Sequence, residues 1–443
     1  MTSDPLNPAF HSRDPDVRRQ AVHQMSLRPQ GAPLTQILEA LSDSDWRVRR
    51  EAISLAAQSS EKDVLIDALL GRVVETDNIG LRNAAIEVLG MIAQGKVDKF
   101  EQAFNGVANG ARKFLIEAMG KTRDPQMIGS LQSLIRGPDA NAAAAAVEAL
   151  VRIGGARSEA ILKEQLSTRD LFLRVAIIEG MTRLGMQVSW CELEPAIEDA
   201  IVRRISAELL GRTGDPRALE FLLELAADAS PQTSSAALRA IGELAEGSED
   251  ERDEIADRLG ASNESFRHVV HEALLHGDTP TRRSAAYLAV LCRDESSLEA
   301  VIQAIADDVA AEPTVQALRA WGPGLVEPLL MLRRAEPRVW AIGLELAAEL
   351  SARHAEEVPN SARDRVRSLI ERDLTASTDI VRAAAAESLR WGGEARDCRA
   401  LVECLDSASH LVRAAATSAL EALASRVPAA VEDALRCADL DGP

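Results

Sequence analysis

The chain predicts an all-α fold, a right-handed solenoid of about thirteen helix-pair repeats of roughly 31 residues each. Three observations predict it. A helix-sized motif recurs at a fixed interval, apolar residues inside each copy fall at helical spacing, and the polar turns between copies carry helix start and stop signals.

The clearest copy is Asp77–Gly90, read DNIGLRNAAIEVLG, which predicts one helix that starts after an aspartate and stops at a glycine. Its Leu81, Ala85, Ile86 and Leu89 form an apolar stripe, and Arg82 stands at the head of that stripe. The Arg82 slot recurs as Arg18, Arg49, Arg112, Arg174 and Arg203, and later as Arg282, Arg382 and Arg413. Ala143, Ser234, Thr314 and Trp340 fill it in degenerate copies. From slot 18 to slot 234 the spacing is 29 to 33 residues, the length of one helix pair with two short turns. One such unit cannot bury its apolar face until a neighbour stacks on it, so the period means a stack of repeats.

Composition agrees and narrows the partners. Apolar residues make up 46% of the chain and aromatics only 3%, a balance suited to helix-on-helix packing by Ala, Leu, Val and Ile. The net charge of −19, with no lysine after Lys163, repels polyanions. The expected partner is therefore another protein, with no nucleic acid and no membrane. The five cysteines, Cys191, Cys292, Cys398, Cys404 and Cys437, lack CxxC spacing and are expected to be reduced. The start MTSDPLNPAF has neither a basic region nor an apolar core, and no apolar run reaches the roughly 18 residues of a membrane span. The expected location is cytoplasmic.

Along the chain, residues 1–13 read as a loose lead-in with Pro5 and Pro8. Asp14-Pro15 then caps and opens the first helix. Residues 14–245 form regular repeats. Leu34–Leu41 is a first helix, Ser42–Asp45 a turn, and Val48, Arg49, Ala52 and Ile53 belong to a second helix. The turns after Gly120 and Gly211 lead into Asp124-Pro125 and Asp215-Pro216, which start the next helices. Residues 246–262 hold an acidic extra helix, centred on Glu246–Arg258, with Ile255, Ala256 and Leu259 to bury; this is the candidate kink. Residues 263–437 are less regular repeats, in which Asn360–Leu374 reads as a longer helix and Pro428–Cys437 as a terminal cap. Residues 438–443 are a tail.

The pattern of Gly, Asp-Pro, a short helix, then Asp followed by Val-Arg and Ala resembles HEAT repeats, over residues 14 to 437. The short period is similar to that of the class first noted in phycobilin lyase subunits. The resemblance implies architecture more than activity, since such repeats serve scaffolds, lyases, hydroxylases and glycosylases.

Candidate sites divide accordingly. The recurring arginines Arg18, Arg49, Arg82, Arg112, Arg174, Arg203, Arg282, Arg382 and Arg413 are expected to form a structural ladder, each reaching the Asp turn of the adjacent unit. His268, His271, Glu272 and His276 form the densest group of metal-ligand types. Resemblance to HEAT-type deoxyhypusine hydroxylases would require several His-Glu pairs in separate repeats, and only His271-Glu272 exists. It is not HExxH either, because the second histidine comes at i+5. No phosphate loop or nucleophile elbow is present. Trp46, Arg47, Arg50, Arg338 and Trp340 are the candidate partner-binding residues, expected at the rim or concave face beside the arginine slots. The reading is a non-enzymatic interaction scaffold without cofactor or metal. The alternatives are a metalloenzyme resembling deoxyhypusine hydroxylase or a phycobilin-lyase-like enzyme.

Overall fold

The structure, a computed structural model, describes residues 7–27, 32–197, 199–247, 249–261 and 264–440. Among them every regular element is a helix, and none is long and apolar enough to cross a membrane. The chain divides into two compact units, Met1–Leu209 and Leu210–Pro443.

In the first unit the second helices of successive pairs are Pro15–Ser26, Trp46–Ala57, Ile79–Ile92, Asn109–Thr122, Ala140–Ile153 and Leu171–Arg183. Each packs on its own first helix and on the second helix of the next pair, so the core is a continuous layer between two rows of helices. Local sequence starts these helices as expected. Asp14, Asp45, Asp139, Asp170 and Asp199 sit at N-caps, and each carboxylate accepts a backbone N–H two or three residues on. Asn78 does the same for Ile79–Ile92.

Glycine plays a different part from the expected stop signal. The helices holding Gly90 and Gly120 run on to Ile92 and Thr122. A Cβ on Gly120 would lie 2.8 Å from the Ala149 Cα, and one on Gly211 would lie 2.6 Å from the Ala240 carbonyl oxygen. These glycines let neighbouring second helices touch backbone to backbone, which a side chain would prevent.

Two further departures, and one expected element, have physical causes. A short helix, Asn7–Phe10, stands inside the expected loose lead-in because Phe10 buries against Pro15–Ser26. The second helix around Arg203 breaks into Ala200–Ile205 and Ala207–Gly211, where the Ser206 hydroxyl donates to the Val202 carbonyl at 2.7 Å. The acidic stretch forms Glu249–Gly260, inside the second unit rather than at its edge. Ile255 and Leu259 of that helix are fully buried against Pro231–Ala245 and Thr279–Leu291. Burying two such side chains stabilises by about 1.5–3 kcal/mol each, enough to seat a helix whose other positions are mostly charged.

The second unit continues the pairing with second helices Pro231–Ala245, Thr279–Leu291, Glu312–Trp321, Pro337–Arg353, Asp379–Gly392 and His410–Ala424. Asn360–Asp373 is the longer first helix the sequence suggests. The terminal helix runs Pro428–Leu440, packs on Cys398–Leu405 and His410–Ala424, and buries Val431. The expected tail, residues 438–443, is helical to Leu440, and residues 441–443 lie outside the described residues.

Candidate protein-interaction face

The slot arginines do something more local than the expected ladder. Six of the nine, Arg18, Arg49, Arg82, Arg174, Arg203 and Arg413, cover carbonyls five or six residues before them, at or just past the end of their own first helix. Arg18 donates to Ser12 at 2.9 Å, Arg49 to Asp43 at 2.8 Å, Arg174 to Thr168 at 2.5 Å and Arg413 to Ser407 at 2.6 Å, all at backbone oxygens. Arg82 bonds the Thr76 carbonyl and Arg203 the Ile197 carbonyl in the same way. A helix end leaves carbonyls without partners, and a five-donor cation suits both their lone pairs and the negative end of the helix dipole.

Only some slots also reach the next unit. Arg18 makes a two-pronged bond to Asp43, at 2.7 and 2.8 Å, and Arg282 reaches Asp307 at 3.4 Å. Arg382 reaches Ser407 Oγ at 3.1 Å. Burial works against the Asp43 charge, yet the bonds from Arg18 and the Asp45 amide outweigh it and hold the carboxyl below its usual range. The Nε of Arg112 is buried and makes no bond among the described residues.

Repeat-to-repeat ion pairs lie elsewhere. On the second helices Glu117 meets Arg152 at 3.7 Å and Glu148 meets Arg183 at 2.7 Å. On the first helices Asp63 meets Lys96 at 2.7 Å, and Lys163 meets Glu192 at 3.4 Å. These pairs are exposed, so each contributes at most about 1 kcal/mol and they act mainly to fix register.

The expected partner-binding residues separate. Trp46 is the first residue of its helix and is 60% exposed. Arg47 beside it bonds Asp45 at 3.0 Å and reaches Asp16 of the preceding pair at 3.1 Å. Arg50 and Arg338 are exposed on their helices. Trp340 is a correction. It is 4% exposed, and its indole N–H donates to the Asp373 carboxylate at 2.7 Å. It keeps the donor role of the arginine slot with a buried ring, so no partner can reach it.

Sequence reasoning missed other members of the face. Ile79, Phe172 and Ile201 are 68%, 84% and 58% exposed, and like Trp46 they stand in the first turn of a second helix. Trp46 and Ile79 lie on adjacent helices, as do Phe172 and Ile201. The signal was present: an apolar residue one or two places after the capping Asp or Asn, ahead of the buried stripe. Single exposed apolar residues mean little, but recurrence in the same turn of the repeat makes two patterned apolar pairs.

The histidine group is not assembled as a site. His271 Nδ1 lies 2.9 Å from Ser297 Oγ, and that hydroxyl donates to Asp294 at 2.6 Å. The order points the serine proton at the carboxylate rather than at the imidazole and buries the serine fully, unlike an activated nucleophile. His268 and His276 are exposed, and among the described residues no three His, Cys, Asp or Glu side chains group to hold a metal ion.

Comparison with known proteins follows the same lines. A family model for HEAT repeats matches residues 3–94 and 192–275. No curated protein matches the chain. Among solved structures, the chain is similar to the karyopherin Kap121p bound to the SUMO protease Ulp1p, with 13% identity and a TM-score of 0.52. It is similar also to Kap121p bound to Nup53p, with 14% identity and a TM-score of 0.52. In both cases the match covers 91% of this chain and 49% of the other, so this chain spans about half the length of those proteins. Identity that low establishes likeness of fold alone.

Proposed function

We propose that this HEAT-repeat protein is a non-catalytic scaffold that binds a protein partner along the first turns of its second helices. One observation carries the reading: Trp46, Ile79, Phe172 and Ile201 are all exposed in the first turn of a second helix, one or two residues after its cap. Arg47, with Arg50 exposed one helical turn from Trp46, adds the guanidinium chemistry that accompanies aromatic anchors at protein interfaces. A net charge of −19 favours a protein over nucleic acid as occupant. The fold likeness to the karyopherin Kap121p, solved with each of two bound proteins, supports the same reading.

Trp46→Ala and Phe172→Ala are each expected to weaken partner binding by about 2 kcal/mol, roughly thirtyfold, without loss of helicity. The check is quantitative co-purification from native cells, with circular dichroism and a melt on each variant. An unchanged set of captured proteins would place the interface elsewhere. Metal analysis of the purified protein is expected to find no stoichiometric iron, and finding it would restore the enzyme reading.

A further inference from the structure

A cavity of about 790 Å³ in the second unit is lined by Arg333, Arg334 and Arg365, with Leu330, Met331 and Leu369. Arg333 and Arg334 end the turn after Val326–Met331, and Arg365 comes from the helix Asn360–Asp373. Arg365 pairs with Glu327 at 2.6 Å, whereas Arg333 and Arg334 have no carboxylate partner among the described residues. Arg338, on the first turn of the next helix, is exposed but is not among the lining residues. The floor is apolar, Leu330 being 3% exposed, while Met331 at the lip is 67% exposed.

We propose that this groove receives a short acidic segment of a partner protein, carrying one apolar side chain among its carboxylates. The physical case is charge complementarity at short range. Exposed charges are screened beyond about 8 Å at physiological salt, so a bound segment feels the local guanidiniums and not the chain's net negative charge. Guanidinium forks match carboxylates in pairs, and an unbranched thioether adapts to whichever apolar side chain enters.

Fluorescence anisotropy of the full chain with a labelled peptide, six Asp and Glu residues around one Leu, tests this directly. Saturable binding that weakens as salt rises is expected. The double variant Arg333→Glu/Arg334→Glu should bind at least tenfold more weakly, and Met331→Ala should lose a smaller factor. All three positions are exposed, so the fold should survive, and a melt verifies it. Absence of binding, or equal binding by the double variant, overturns the inference. So does equally tight binding of duplex DNA or phosphatidylserine vesicles with no dependence on Met331, since the groove would then be a general polyanion surface.

This inference names a partner chemistry for the scaffold reading and rests on it, but the two fail differently. If Trp46→Ala abolishes capture of native partners while charge reversal leaves both capture and peptide binding intact, only the groove is refuted. If the wild-type chain captures nothing that either surface controls, the scaffold reading falls.

Discussion

Replacing Trp340 with alanine is expected to destabilise the second unit by about 3–5 kcal/mol, the usual cost of deleting a buried large aromatic. The ring is 4% exposed, and its N–H supplies one of the bonds that satisfy Asp373, itself 4% exposed. Two losses therefore combine: a cavity at the start of Pro337–Arg353, and a buried carboxylate left with Arg372 as its remaining close donor at 2.6 Å. Trp340→Phe separates them. It keeps most of the volume but removes the donor, and should cost about 1–3 kcal/mol. Urea unfolding with the slope held as a check on cooperativity measures both. A Trp340→Ala protein that melts like the wild type but loses a partner would return the residue to the surface, against its burial.

The second large effect is a pH dependence centred on Glu345. Burial, and secondarily the nearby Glu387, push its carboxyl up from 4.5 to about 7. Glu387 accepts bonds from Arg390 at 2.7 Å and Ser418 at 3.1 Å, while no such bond reaches Glu345 among the described residues. The sign follows from proton uptake. Between pH 4.5 and about 7 the folded chain holds a proton that the unfolded chain has released, so stability falls as pH rises through this window. The contribution is fully favourable below the unfolded value and is lost above the folded one. Glu345→Gln removes the titration. It should stabilise the protein by about 1–3 kcal/mol at pH 8, by much less at pH 5, and flatten the slope between them. Urea midpoints at the two pH values decide the matter, and a gain independent of pH would mean that the glutamine acts through packing alone.

Both predictions concern slots that the repeat pattern located without revealing their surroundings. Trp340 was recognisable as an arginine-slot replacement from its place in the period. That it turns inward to Asp373, 33 residues on, depends on how Asn360–Asp373 docks beside it. Glu345 and Glu387 occupy the same offset from their slots, at 340 and 382, yet one gathers partners and the other does not. Phe172 shows the same division on the surface. Its position after Asp170 was legible, but its 84% exposure reflects what the neighbouring helices leave uncovered.

The sequence by itself determined the all-α repeat class, the approximate period, the capping aspartates and the arginine slots. Those features are settled within a few residues along the chain: a carboxylate caps an amide two residues on, and a guanidinium covers a carbonyl five or six residues back. Tertiary structure alone decided which glycines are close contacts, which glutamates pair with arginines of the next repeat, and where Arg333, Arg334 and Arg365 converge. Such neighbours lie some 30 residues apart, and their meeting depends on the register of stacked helices. A shift of one residue turns a helical side chain by about 100°, so periodicity that tolerates a spacing of 29 to 33 residues cannot specify it.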